Sequence, residues 1–262
     1  MHNINIFKIS YDRVYGMETF FKLVTPNNRI DFKLSNQQEI FVRALEQNDK
    51  VLVQKHRQFG LTTTSLGFLV LESVYKPKSC IGILSGKMVY LNNHNSMVLD
   101  FIKQLENLTN ESLISSYTKG KIVLTNGSVF LFSNFNIRGY ALSHCFIDEY
   151  ITHKELMDNY PNFYNSKLII GYTYKPSFLD DFMVNQRVCK LSFKWYYDDR
   201  FNKDLYWITP NGFKLYEEKI FSEKSVEEAL SLGLEPMSSW KENLIRQCGK
   251  EKVKEAIDLD VL

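Results

Sequence analysis

The residues of this chain that could do chemistry gather in two short runs. The first is Lys55-His56-Arg57-Gln58-Phe59-Gly60-Leu61-Thr62, continued by Thr63 and Thr64. It joins an apolar run, Val51-Leu52-Val53-Gln54, to a stretch whose apolar residues recur at helical spacing. Such a strand–loop–helix brings backbone N–H groups to a helix N-terminus, where the helix dipole favours an anion; phosphate is the natural ligand. The usual form of the loop places a lysine immediately before the Ser or Thr. Here that position is Leu61, which supplies no charge. Lys55, at the other end of the loop, or Arg57, two residues on, could each reach a β- or γ-phosphate if the loop curls over it. The Thr62 hydroxyl stays available to Mg²⁺. By itself the run also fits an ordinary basic strand-to-helix turn with a threonine cap.

The second run is Cys145-Phe146-Ile147-Asp148-Glu149. An apolar strand ending in Asp-Glu sets two carboxylates at the carboxyl edge of a parallel sheet, where open α/β folds bind ligands. The first would hold Mg²⁺ through water, and the second would orient or deprotonate an attacking water. Alone, the pair also satisfies the preference of acidic residues for a helix N-terminus. Together, the two runs specify a nucleotide-binding motor or switch.

The elements that must carry these runs can be read from pattern. Residues 1–33 form a mixed aromatic and polar lead-in, broken at Thr25-Pro26-Asn27-Asn28. Ser35-Asn36-Gln37-Gln38 has the form of a capping box, which predicts a helix to about Gln47. A strand at 51–54, a helix at 62–75, a strand at Cys80–Leu84 and a helix over about 88–108 follow. A hairpin is expected from Lys121–Leu124 and Val129–Phe132 about the turn pair Asn126-Gly127. Buried strands at 145–147 and 167–171 complete the alternation, which indicates a parallel sheet covered on both faces. The domain so defined spans 1–194. Residues 195–262, with a turn at Pro210-Asn211-Gly212 and two short helices opening at Ser225 and Ser239, read as a small lid or linker.

Composition sets outer limits. A chain of 262 residues with 44% hydrophobic content can bury a sizeable core. Thirty-two basic against 30 acidic residues leave a net charge of +2, too little to hold nucleic acid by bulk charge, so any DNA contact is local or shared around a ring. Cys80, Cys145, Cys189 and Cys248 lie far apart with no CxxC pair, which argues against zinc or a disulfide framework and for reduced, mostly buried thiols. No basic-then-apolar leader opens the sequence and no apolar run is long enough to span a bilayer, so a cytoplasmic location with no membrane partner is expected.

The run Lys55-x-Arg57-Gln58-x-Gly60-x-Thr62-Thr63 resembles the divergent phosphate loop of large terminase subunits, the DNA-packaging ATPases of tailed bacteriophages, many of which carry the loop lysine upstream of an Arg-Gln. Gln38 stands where that family has a glutamine proposed to contact adenine, though it fits the capping box equally well. The Asn126-Gly127 hairpin, the Asn136-Ile137-Arg138-Gly139 segment and Tyr172-Thr173-Tyr174-Lys175-Pro176-Ser177 are similar, in order and approximate spacing, to the family's Asn-Gly hairpin, Arg-Gly segment and Thr-Thr-Pro coupling segment.

The resemblance implies an α/β P-loop NTPase of the additional-strand type, with a mainly parallel central sheet flanked by helices and a strand between the phosphate-loop strand and the acidic strand. It implies ATP and Mg²⁺ as cofactors. The ATP contacts would come from Gln38 and from Lys55 through Thr63, that is Lys55, His56, Arg57, Gln58, Phe59, Gly60, Leu61, Thr62 and Thr63. Thr62 and Asp148 would serve the metal. Glu149 would be the catalytic carboxylate, Arg57 would sense or stabilise the γ-phosphate, and Thr173 would couple hydrolysis to movement. Arg138 would be an arginine finger reaching a neighbouring subunit; it reads equally as a surface-loop arginine. The implied partners are double-stranded DNA, the portal protein, the small terminase subunit and a ring of about five copies of the chain, with a monomer in free solution. The implied place is the viral procapsid in the cytoplasm of the bacterial host. No acidic constellation after residue 180 suits the nuclease of large terminases, so an ATPase is expected from this chain, with the nuclease on a separate domain or subunit. Two other functions fit the same runs: a helicase-like translocase, and a non-catalytic assembly protein that kept the fold, for which Leu61 is the best support.

Overall fold

The computed structural model describes residues 12–149, 152–173, 178–179, 187–215 and 223–257. The chain divides into two compact units. The first takes in residues 1–34 and 38–192, the second residues 35–37 and 193–262.

The lead-in is structured where it is described. Helix α1 (Arg13–Phe20) is capped by the Asp12 side chain, and strands β1 (Lys22–Val24) and β2 (Arg29–Asp31) form a small antiparallel hairpin about the expected break at residues 25–28. There follow α2 (Asn36–Gln47), β3 (Lys50–Lys55), α3 (Leu61–Tyr75), β4 (Cys80–Leu84) and α4 (Met88–Thr109), each within a residue or two of its predicted span. Strand β5 (Ile114–Thr118) was not expected: Ile-Ser-Ser-Tyr-Thr is polar and mostly exposed, so no apolar alternation marks it. It pairs with β6 (Lys121–Leu124), which turns at Asn126-Gly127 into β7 (Val129–Ser133). Then come β8 (His144–Asp148), α5 (His153–Phe163), β9 (Lys167–Tyr172) and β10 (Cys189–Phe193). Helix α5 had no prediction of its own; a complete capping box between Thr152 and Glu155 starts it, and Pro161 lies inside it.

Eight of these strands make one sheet in the order β10-β3-β9-β8-β4-β7-β6-β5. Strands β3, β9, β8, β4 and β7 run parallel, and β6 and β5 add an antiparallel edge. Strand β9 lies between β3, which leads into the loop at 56–60, and β8, which ends in Asp148. Both faces of the central strands are covered, which is why Val51-Leu52-Val53 and Leu168-Ile169-Ile170 are unbroken apolar runs. Leu52, Cys145, Ile147, Leu168 and Ile170 pack on one face with Leu156 and Phe163 of α5.

Successive side chains of β8 point to opposite faces, so His144, Phe146 and Asp148 share the other one. Helices α3 and α4 supply their partners. His144 meets Glu72 of α3 at 3.3 Å, and Glu72 also binds Arg13 of α1 and Lys76. Burial pushes the Glu72 carboxyl up, but the bonds from His144, Lys76 and Arg13 outweigh it and hold the group well below the ordinary carboxylate range.

The second unit carries β11 (Tyr206–Ile208), paired antiparallel with both β12 (Lys214–Leu215) and β13 (Glu235–Met237). Helices α6 (Glu223–Ser231), α7 (Ser239–Cys248) and α8 (Lys250–Ile257) complete it, and its core gathers Trp195, Trp207, Val226, Ala229 and Val253. Two expectations are corrected here. Helix α6 begins at Glu223, so Ser225 lies in its first turn and does not open it. Helix α7 is capped by Ser238, whose hydroxyl accepts from the Lys241 N–H, and not by Ser239. The thiols differ from expectation as well: Cys145 is buried, Cys80 and Cys189 are half-buried, and Cys248 is exposed.

Candidate nucleotide site

Sheet register assembles the site. Parallel strands end on a common edge, and in the ladder Val53, Gly171 and Asp148 stand in one row of β3, β9 and β8. The residues leaving that row are therefore neighbours. The Lys55 ammonium donates to a carboxylate oxygen of Glu149. Thr173 lies between them, its hydroxyl donating to Glu149 Oε1 at 3.0 Å and sitting 3.4 Å from Lys55 Nζ. The Glu149 N–H donates to the Gly171 carbonyl, and the Glu149 backbone adopts a left-handed φ of 51°, a conformation that costs a non-glycine residue energy and tends to persist where a site uses it.

The candidate phosphate loop runs from the end of β3 to the start of α3. Gly60 is the cap residue of α3 with φ 86°, a left-handed conformation that favours glycine, and no side chain caps the helix. Space decides as well: a β-carbon at residue 60 would lie 2.5 Å from the Gln38 amide nitrogen. That amide is buried and donates to the Phe59 carbonyl at 2.7 Å, so Gln38 supports the loop's second half from α2. His56 and Phe59 are wholly buried, edge to face at 5.9 Å, with Phe41 beside Phe59. They anchor the loop from beneath, while Arg57 and Gln58 are exposed on it. Gln58 also has a left-handed φ, 67°.

Leu61 fills the usual lysine position as a packing residue. It is buried, and its Cδ2 occupies the space that a β-carbon of Gly171 would need. The first turn of α3 thereby settles onto β9, and the next residue, Thr62, reaches Asp148 with a hydroxyl-to-carboxylate bond of 2.7 Å. The same Asp148 oxygen receives His94 Nε2 from α4 at 3.0 Å. Burial pushes the Asp148 carboxyl up, but the His94 hydrogen bond and charge, with Thr62 and the nearby Lys55, overcome this and hold it below its ordinary value. Two clusters thus stand side by side: Lys55–Thr173–Glu149 and Thr62–Asp148–His94.

This architecture has solved counterparts. The ATPase domain of the large terminase of Thermus phage P74-26 superposes with a TM-score of 0.55 over 84% of this chain and 92% of that one, at 11% identity. The large terminase of bacteriophage HK97 gives a TM-score of 0.61 over 95% of this chain and 54% of that one, at 12% identity. The chain has the fold of a large terminase ATPase domain. The mainly parallel sheet flanked by helices, with β9 between the loop strand and the acidic strand, is the form that fold takes here. A third counterpart, the large terminase of a thermophilic bacteriophage in complex with ADP, matches with a TM-score of 0.52 over 86% of this chain and 52% of that one, at 13% identity. The chain spans about half the length of the HK97 terminase and of the ADP-bound one. No family model and no curated protein matches the sequence.

Within the terminase fold, the remaining candidates are placed as follows. Arg138 lies in the turn Ile137–Tyr140 between β7 and β8; it is exposed and meets none of the clustered side chains among the described residues. Thr63 is half-buried in the first turn of α3. Thr173 is described, but Tyr174, Lys175, Pro176 and Ser177 of the coupling segment lie outside the described residues. His94 was missed by sequence reasoning. The available signal was its position on the buried stripe of α4 with Leu91, Asn95 and Val98, which marks a polar side chain aimed at the sheet.

Proposed function

We propose that this chain is the ATP-hydrolysing motor of viral DNA packaging, acting at a procapsid in the cytoplasm of a bacterial host. The observation that carries the reading is the meeting of Lys55 and Glu149 at the sheet edge, beside an uncapped helix N-terminus and the Thr62–Asp148 pair. Phosphates would lie against the backbone N–H groups of residues 56–61, where the α3 dipole stabilises their charge. An ammonium carries three donors, so Lys55 can hold Glu149 and a phosphate oxygen together. That would hold the carboxylate beside the γ-phosphorus, where it would accept a proton from the attacking water as the bond to ADP breaks. Thr173 locks the rotamer of Glu149. Arg57, exposed on the loop, would meet the γ-phosphate.

The residues fit Mg²⁺. This ion keeps several waters and takes one or two protein oxygens with the phosphates, and the Thr62 hydroxyl and the Asp148 carboxylate, joined by a 2.7 Å hydrogen bond, would offer hard oxygen ligands from one place. Among the described residues no larger group of His, Cys, Asp and Glu competes for a metal. When bound, Mg²⁺ would neutralise charge on the β- and γ-phosphates.

The finer assignments belong to the same proposal: translocation of double-stranded DNA, a ring of about five subunits on a portal with Arg138 reaching the next subunit's site, a small terminase partner, and a nuclease carried elsewhere. Residues 195–262 would act as lid or linker. The test is phosphate release from Mg²⁺-ATP with and without linear duplex DNA, alongside a strand-separation assay. Stimulation by duplex without unwinding supports a packaging motor. Unwinding would favour a helicase, and absence of turnover in concentrated protein with DNA would favour a non-catalytic assembly protein.

A further inference from the structure

His94 has no part in the reading above, yet it touches the residue assigned to the metal. It is 4% exposed, in the second turn of α4 on the stripe that faces the sheet. Its ring lies 6.3 Å from that of Phe146, centroid to centroid, and its Nε2 lies 3.0 Å from Asp148 Oδ2. The geometry follows from β8: Phe146 and Asp148 share a face, so a ring covering the first reaches the second. Packing alone would not select histidine here. Its Nδ1 is buried and has no partner among the described residues, and a buried polar atom without a hydrogen bond is unfavourable. A leucine would fill the same space without that cost.

We infer that His94 is a positioning residue for Asp148: its Nε2–H and the Thr62 hydroxyl hold Oδ2, which leaves Oδ1 as the oxygen offered to the cation. Among the described residues no donor reaches Oδ1. The inference rests on the proposed Mg²⁺-ATP site. Hydrogen bonds to the ligand side chains of a metal site typically govern metal affinity by roughly tenfold to a hundredfold, and His94 supplies one of the two that Asp148 receives from described side chains.

The test compares wild type with His94→Leu, which keeps bulk and removes the donor, and His94→Gln, whose amide nitrogen can stand near the position of Nε2. The readout is the affinity for a non-hydrolysable ATP analogue, measured by fluorescence across a Mg²⁺ titration and again in EDTA, with the melting temperature of each variant. The expected result for His94→Leu is a Mg²⁺ half-saturation point raised roughly tenfold or more, with analogue affinity in EDTA unchanged. His94→Gln should recover most of that loss. A His94→Leu protein with the wild-type Mg²⁺ dependence overturns the role while leaving the nucleotide site standing. Equal loss in EDTA and in Mg²⁺, unrelieved by Gln, makes His94 a packing residue and also overturns it. A wild-type protein whose analogue binding ignores Mg²⁺ removes the proposed site itself and this inference with it.

Discussion

Leu61 and Gly171 interlock, the leucine Cδ2 filling the space where a β-carbon on residue 171 would stand. The position that carries the lysine in the usual phosphate loop is therefore a contact between α3 and β9 here, and in the proposed site the cation is Lys55, at the end of β3. Moving the charge there brings it beside Glu149, because β3 and β8 flank the same strand. The absent side chain at 171 also lets α3 sit low enough for Thr62 to bond Asp148.

Gly171→Ala should accordingly strain both the core and the site. Inserting a methyl into a packed interior costs about 1–3 kcal/mol, read as a lower urea midpoint with an unchanged slope. Leu61→Ala in the Gly171→Ala background should recover part of the loss, since the two residues touch. Additive destabilisation in that double variant would mean that the contact is not the cause.

Thr173 links the cation to the carboxylate, and its hydroxyl is the atom that matters. Thr173→Val should lower kcat by roughly tenfold to a hundredfold, the worth of one hydrogen bond to a charged group. ATP affinity should stay near wild type, and Thr173→Ser should restore most of the rate. A valine variant at full speed would leave Glu149 positioned by Lys55 and its backbone alone.

Glu72 lies at the opposite end of α3 from the phosphate loop and predicts a pH dependence of stability. Its carboxyl titrates below the ordinary value of 4.5 in the folded chain. The stability it contributes is therefore complete above about 4.5 and is lost as the pH falls toward the folded value. Glu72→Gln leaves Arg13, Lys76 and His144 facing a neutral group, which should cost about 3–5 kcal/mol at neutral pH. In urea titrations the gap from wild type should shrink in acid, at a pH of about 3. A gap that is constant with pH would show that the carboxylate's charge is not what stabilises the cluster.

Much of this was legible in the sequence. The apolar runs at 51–54, 80–84, 145–147 and 167–171 became adjacent central strands because buried parallel strands are continuous apolar segments bounded by turns. The loop and the acidic pair were legible as chemistry for the same reason: each ends such a run. The juxtaposition of Lys55, Thr173 and Glu149 was not, because sheet order is set by tertiary packing and β9 is the last of those strands in sequence. His94 escaped notice because its place on the buried stripe of α4, the one signal it gave, does not distinguish a core histidine from one that serves a site. The lead-in and the second unit were hard to read for a different reason: their strands are three residues or fewer, shorter than any periodicity can declare.

The decisive measurement for the proposed motor is phosphate release from Mg²⁺-ATP by concentrated protein with duplex DNA, comparing wild type with Glu149→Ala and Lys55→Ala. Wild type should turn over, and Glu149→Ala should lose roughly a hundredfold or more in rate with ATP still bound. Lys55→Ala should lose turnover and affinity together. A Glu149→Ala protein that releases phosphate at the wild-type rate would overturn the assignment of the acidic pair and the motor built on it.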